Sequence, residues 1–184
     1  MKQNRSVLVA FGLLILAASL YRVWPDRPFG FAPQWAMAIF GGAVIKDKRL
    51  AFLFPLLSIF ISDTIYQLMF QNGATQIWGF YEGQWSNYVL FGLLTVFGLM
   101  IRKISWIKII AASLAAPSVY FLISNFLVWI GGGGYHRPTL MGAYIDGIPF
   151  YQMSLMATLI FSGVLFGTYF LIRDQSLQPK QQLA

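Results

Sequence analysis

Apolar residues fall into six uninterrupted blocks, at about 6–24, 33–45, 50–69, 88–100, 106–130 and 151–172. Within a block they neither alternate with polar residues nor keep to one helical stripe. A helix that is apolar on every side belongs in an apolar surrounding. At 1.5 Å per residue, about 20 such residues cross the ~30 Å hydrocarbon core of a bilayer. The pattern predicts an all-α membrane protein, a bundle of six transmembrane helices in a single integral domain over 1–184, with a polar tail at 173–184.

Local signals refine the elements. The first block follows Lys2 and Arg5 and continues through Leu20 and Tyr21. No clean Ala-x-Ala site follows, so it is read as a retained helix instead of a cleaved signal. The second block is short and carries Gly41 and Gly42, which fits a tilted or partly re-entrant helix. Pro117 predicts a kink in the fifth. Four glycines at 131–134 open what reads as a long loop reaching Phe150.

Composition agrees with this picture: 58% of residues are hydrophobic and 10% charged, against roughly 25% charged in ordinary soluble domains. There is no cysteine, which removes disulfides, thiolate metal sites and cysteine nucleophiles. The net charge of +7 sits in short caps between blocks, which fits a membrane orientation signal better than nucleic-acid binding. With six spans and cytoplasmic termini, ten Lys and Arg residues face inside, from Lys2 to Lys180. Only Arg22, Arg27 and Arg137 face outside.

The outer connections differ from the inner ones, being longer and rich in Trp, Tyr and Gly. They hold Trp24, Arg27, Trp35, Gln76, Trp78, Tyr81, Glu82, Trp85, Asn87, Tyr135, His136, Arg137, Tyr144 and Asp146. Aromatic faces with a few polar anchors are the usual lining of a small-molecule pocket. They are also what an interfacial aromatic belt looks like, and Trp24 and Trp106 fit that belt. Asp63 lies fourteen residues beyond Arg49, or about 21 Å along the third helix. A carboxylate in the outer half of a membrane needs a partner or a function, and Arg22 or Arg27 would serve as the partner. Asn125 lies near the outer end of the fifth helix, with Trp129 one turn further, at a height where it and Asp63 would line one cavity.

Several chemistries find no support. His136 is the only histidine and has no companion ligands, so no metal site is expected. The glycine run lacks the Gly-Lys-Ser/Thr of a phosphate loop. No hydrolase or intramembrane-protease motif is present, so the chain is read as a non-enzyme without a cofactor. A membrane enzyme acting on lipid head groups would rest only on Asp63, His136 and Asp146 facing one side. Small residues spaced for close helix packing occur at Ala38/Gly42, in the set Ala111, Ala112, Ala115 and Ala116, and at Gly163/Gly167.

Longer stretches carry a resemblance. They are Phe31-Ala32-Pro33, the run 36–43, the run 51–55 leading to Ser62-Asp63, the run 120–129, Tyr135 with Pro138-Thr139, and Gly147-Ile148-Pro149-Phe150. The chain resembles a family of small bacterial membrane proteins of undetermined function, usually labelled as transport proteins. That family is similar to the S components of energy-coupling-factor (ECF) vitamin transporters. The resemblance implies a six-helix, S component-like bundle in the bacterial inner membrane. It would capture a vitamin-like molecule in an outward-facing pocket and be served by an energising transmembrane/ATPase module. Its substrate-binding set would be Asp63, Asn125, Trp129, Trp78, Tyr81, Trp85, Tyr135, His136, Arg137 and Tyr144. The alternative is a non-transporting scaffold or assembly subunit whose small-residue faces bind partner helices.

Overall fold

The computed structural model describes residues 5–132 and 139–177. Among them are six α-helices and no strand: α1 Arg5–Arg22, α2 Gln34–Val44, α3 Lys48–Gln71, α4 Gln84–Leu99, α5 Trp106–Ile130 and α6 Leu140–Leu177. Helix boundaries match the apolar blocks closely except at the starts of α4 and α6 and at the end of α6, which runs past the expected 172 to Leu177. Helix α4 begins at Gln84, directly after Gly83 in the left-handed region at φ 79°, so Trp85 and Asn87 are helical. Helix α6 begins at Leu140, and the expected loop between 140 and 150 is helix, Pro149 included. Thr139 starts it, its Oγ1 accepting from Gly142 N at 3.1 Å and its carbonyl from Ala143 N at 3.0 Å. Gly147, which looked like a loop residue, is a packing residue. A Cβ there would overlap the Asn125 side chain of α5.

Helix α2 occupies the centre. Every residue from Gln34 to Gly42 is buried, and it touches α3, α4, α5 and α6. Its 11 residues reach only about 16 Å, short of a full bilayer crossing, and its neighbours cover it. The approach of α2 to α4 depends on two glycines. A Cβ on Gly42 would strike Thr95 O and Gly98 Cα, and one on Gly98 would strike Ile39 O. The Ala38/Gly42 pair therefore marks a real contact. The other small-residue pairs divide: Ala112 and Ala116 are buried, while Ala111 and Ala115 are exposed. Gly163 meets nothing within 4 Å, and Gly167 only the tip of Trp106 at 3.9 Å. The Gly163/Gly167 step is not an internal crossing.

Polarity is distributed inside out. Buried positions include Ser19, Gln34, Ser58, Ser62, Asp63, Thr95, Ser113, Thr158 and Ser162. Leu13, Leu20, Val89, Ile107, Val164, Leu171 and Ile172 are all more than half exposed. Buried hydroxyls bridge helices, as where Ser113 Oγ donates to Ser162 Oγ at 2.9 Å. A protein in water would gain by exchanging these two sets, whereas in lipid the observed order is the stable one. Three helices are long and apolar enough to cross a membrane: Lys48–Gln71, Trp106–Ile130 and Leu140–Arg173, with mean hydropathy 1.5, 1.7 and 2.0.

Candidate functional site

A cavity of about 250 Å³ opens at one end of the bundle. Its walls come from the C-terminal halves of α1, α3 and α5, the N-terminal parts of α2, α4 and α6, and the connections 23–33 and 72–83. All six helices thus converge on one site.

A charged layer crosses its middle. Asp63, with a side chain 5% exposed, meets Arg22 Nη1 through Oδ1 at 2.5 Å. Its Oδ2 accepts from Gln84 Nε2 at 2.6 Å and from Tyr88 OH at 2.8 Å. Both oxygens are therefore occupied. Arg22 also donates to Ser62 Oγ at 2.6 Å and lies over the Tyr66 ring, 5.6 Å from its centroid. Tyr66 OH donates to Arg22 O at 2.7 Å. A charge buried this deeply is tolerable because it is paired and multiply hydrogen-bonded.

Above this layer Arg27 ties down its own loop, with Nε on Arg22 O and Nη1 on Pro28 O and Phe31 O, each at 3.0 Å. Asn87 links Tyr81 to Tyr120, whose OH donates to Asn87 Oδ1 at 3.0 Å. Burial, and then the Asp63 carboxylate, push the Tyr81 phenol above its ordinary pKa, so it stays protonated at neutral pH. Below the layer is Gln34, 1% exposed. Its Nε2 donates to Ala18 O at 3.0 Å and to Ser58 Oγ at 3.2 Å. Among the described residues its Oε1 is the one buried side-chain polar atom without a partner, a situation that costs about 1–3 kcal/mol. Aromatic rings complete the walls: Trp35 lies 4.5 Å from Tyr120 and 6.1 Å from Phe91, centroid to centroid.

The structure sorts the sequence-derived residues. Asp63, Trp78 and Tyr81 line this cavity. Asn125 does not. It lines an adjoining cavity of about 190 Å³ that shares Phe29, Trp35, Tyr120 and Phe150 with the first. Aromatic rings therefore separate Asn125 from Asp63, and its Nδ2 is bonded to Phe121 O at 2.8 Å. Trp129 packs on Phe126 at the end of α5 and lines neither cavity. Tyr144 lies on α6, its OH donating to Leu122 O at 2.9 Å. Trp85 is 81% exposed and faces an apolar groove between α3 and α4. Tyr135, His136 and Arg137 lie outside the described residues, and no cluster of three or more metal-ligating side chains occurs among the described ones.

Sequence reading passed over Gln34, Tyr66, Gln84, Tyr88 and Tyr120. Spacing held part of the signal: Asp63/Tyr66 and Gln84/Tyr88 are i,i+3 and i,i+4 pairs that share a helix face.

The connection 72–83 is clamped onto α3 at Gly79. A Cβ there would overlap Asp63 O and Gln67 N, and Gly79 O accepts from Gln84 Nε2 at 2.9 Å. Gly79→Ala is expected to lift Trp78 and Tyr81 off the cavity. Glu82 is the only glutamate in the chain, so cleavage by a glutamate-specific protease reports on this segment. At least tenfold faster cutting is expected in the variant, and an unchanged rate would show that the clamp is not set by Gly79.

These features define a protein that is helical among the described residues, with three helices long and apolar enough to cross a membrane and a polar-aromatic cavity at one end. The chain belongs to a family of unknown function, DUF6580, which it matches over residues 1–181. No curated protein and no solved structure matches it.

Proposed function

We propose that this protein is a six-span membrane subunit that captures a small, vitamin-like molecule for uptake, without converting it. The observation behind this reading is the cavity. Its volume of about 250 Å³ lies just below the 300–1,000 Å³ usual for ligand sites. Stacking surfaces surround it, and fixed polar groups stand at three depths. Gln34, which lines the cavity, carries a buried unpaired amide oxygen, a cost that a bound donor would relieve and that brings a scaffold nothing.

The excess of Lys and Arg at the opposite end supports a reading in which the cavity opens on the outer face of a bacterial inner membrane, with both termini cytoplasmic. The absence of cysteine makes this simple to check with single-cysteine variants and a membrane-impermeant maleimide on intact spheroplasts. Glu82→Cys is expected to label and Lys103→Cys to label only after lysis; the reverse pattern would end the uptake reading. Delivery of energy fits a partner module of the ECF kind. The first helix, however, carries Ala10, Ala17 and Ala18 instead of the Ala-x-x-x-Ala spacing by which S components dock. Thermal stabilisation of the purified protein by at least one member of a panel of vitamin-sized heterocycles is the direct test. No response to any of them would refute the proposal.

One observation favours the scaffold alternative. Gly163 faces open space, leaving a small-residue surface on α6 that a partner helix would fit. Recovery of one fixed partner, lost in Gly163→Leu, would support that reading.

A further inference from the structure

Resting on the capture reading, we infer that the ligand is a planar heterocycle which donates a ring N–H to Gln34 Oε1 and directs a carboxylate, or an equivalent acceptor, toward Arg27. The cavity has a polar axis. Gln34 is bound to Ala18 and Ser58, four residues before Arg22 on α1 and five before Asp63 on α3. At 1.5 Å per residue it lies about 6–7.5 Å below the charged layer. Arg27, on the loop after α1, stands beyond that layer at the mouth.

At the floor, the amide orientation is set by the protein. Ala18 O can only accept, so the Gln34 nitrogen must face it, and the oxygen is left as an acceptor. No described protein group supplies its proton. The bound molecule therefore presents a donor there. Across the middle, Asp63 is bonded to Arg22, Gln84 and Tyr88. It fixes the walls, and its charge is already balanced by Arg22, which leaves little attraction for a cationic ligand. The lining contains two guanidinium groups against this one carboxylate, which selects an anionic or acceptor end. Between the two ends the rings of Trp35, Phe91 and Tyr120 favour a flat π-face. An aliphatic amine satisfies the floor and fails at the mouth; a fatty acid does the opposite.

Indole-5-carboxylate and benzofuran-5-carboxylate carry the acid across the ring from position 1 and differ only in N–H against O there, and indole lacks the acid. Titration of the full-length protein in nanodiscs should find the indole acid binding at least tenfold tighter than either of the other two. A site built to bond a donor rejects the analogue that lacks it. In Gln34→Met the preference for N–H over O should fall to about one. Because Gln34 also holds α1 to α3, the wild-type ratio serves as the primary readout and needs no variant. Equal affinity of the two acids for wild type would overturn the role of Gln34 while leaving the cavity a binding site. If neither acid bound while other panel heterocycles did, the ligand class would be wrong. If nothing in the panel bound, the capture reading itself would fall.

Discussion

Asp63→Ala is expected to destabilise the protein by about 3 kcal/mol, the lower end of the 3–5 kcal/mol lost when one member of a buried ion pair is removed. The lower end applies because the Arg22 side chain is 26% exposed while that of Asp63 is 5% exposed. The loss has several sources. Arg22 keeps its charge without a counter-ion, and Gln84 Nε2 and Tyr88 OH lose their acceptor. These donors come from α1 and α4, so the carboxylate holds three helices in register. Asp63→Asn retains one acceptor oxygen and should lie between alanine and wild type. A double-mutant cycle with Arg22→Leu, followed by SDS-induced unfolding in mixed micelles, should give a coupling above 1 kcal/mol. A loss below 0.5 kcal/mol for Asp63→Ala would mean that water replaces the network and that the pair is ornamental.

Gly98→Ala should be worse still, with a loss above 4 kcal/mol or no folded protein. The new methyl would fall on Ile39 O and C, main-chain atoms of the central helix, and no side-chain rotation relieves that overlap. Moving α2 away from α4 would in turn disturb Trp35, whose ring packs on Phe91 of α4. The control is Gly163→Ala, chemically the same change. It meets open space, and helix propensity alone makes it neutral or favourable by up to about 1 kcal/mol. The two variants should therefore shift unfolding in opposite directions. If both were neutral, the α2–α4 crossing would be looser than its geometry implies.

The contrast between these glycines shows where sequence patterns lose their force. Gly163/Gly167 has the spacing associated with helix packing, yet it faces outward; Gly42, with the same spacing from Ala38, touches a neighbouring backbone. Spacing shows that a close approach is sterically possible, while the partner is set by how the helices are arranged. The segment 140–150, with Gly142, Gly147 and Pro149 in it, departs from expectation in the other direction. The glycines at 131–134 suggested a loop running to Phe150, but Thr139 caps a helix there and Asn125 requires the missing side chain at Gly147. The same limit applied to Asn125. Its depth matched that of Asp63, but Trp35, Tyr120, Phe29 and Phe150 stand between them.

Sequence by itself determined that the fold is helical, where most helices begin and end, that they are apolar enough to suit a membrane, and that Asp63 needs a partner or a function. Those properties follow from local hydrophobicity and from the cost of burying charge, and both act on a segment wherever it lies. Tertiary structure decided which arginine pairs with Asp63, that α2 is the central helix, and that Gln34 is left with an acceptor that no group among the described residues fills. Each of these depends on contacts between residues distant in sequence, which local pattern does not encode.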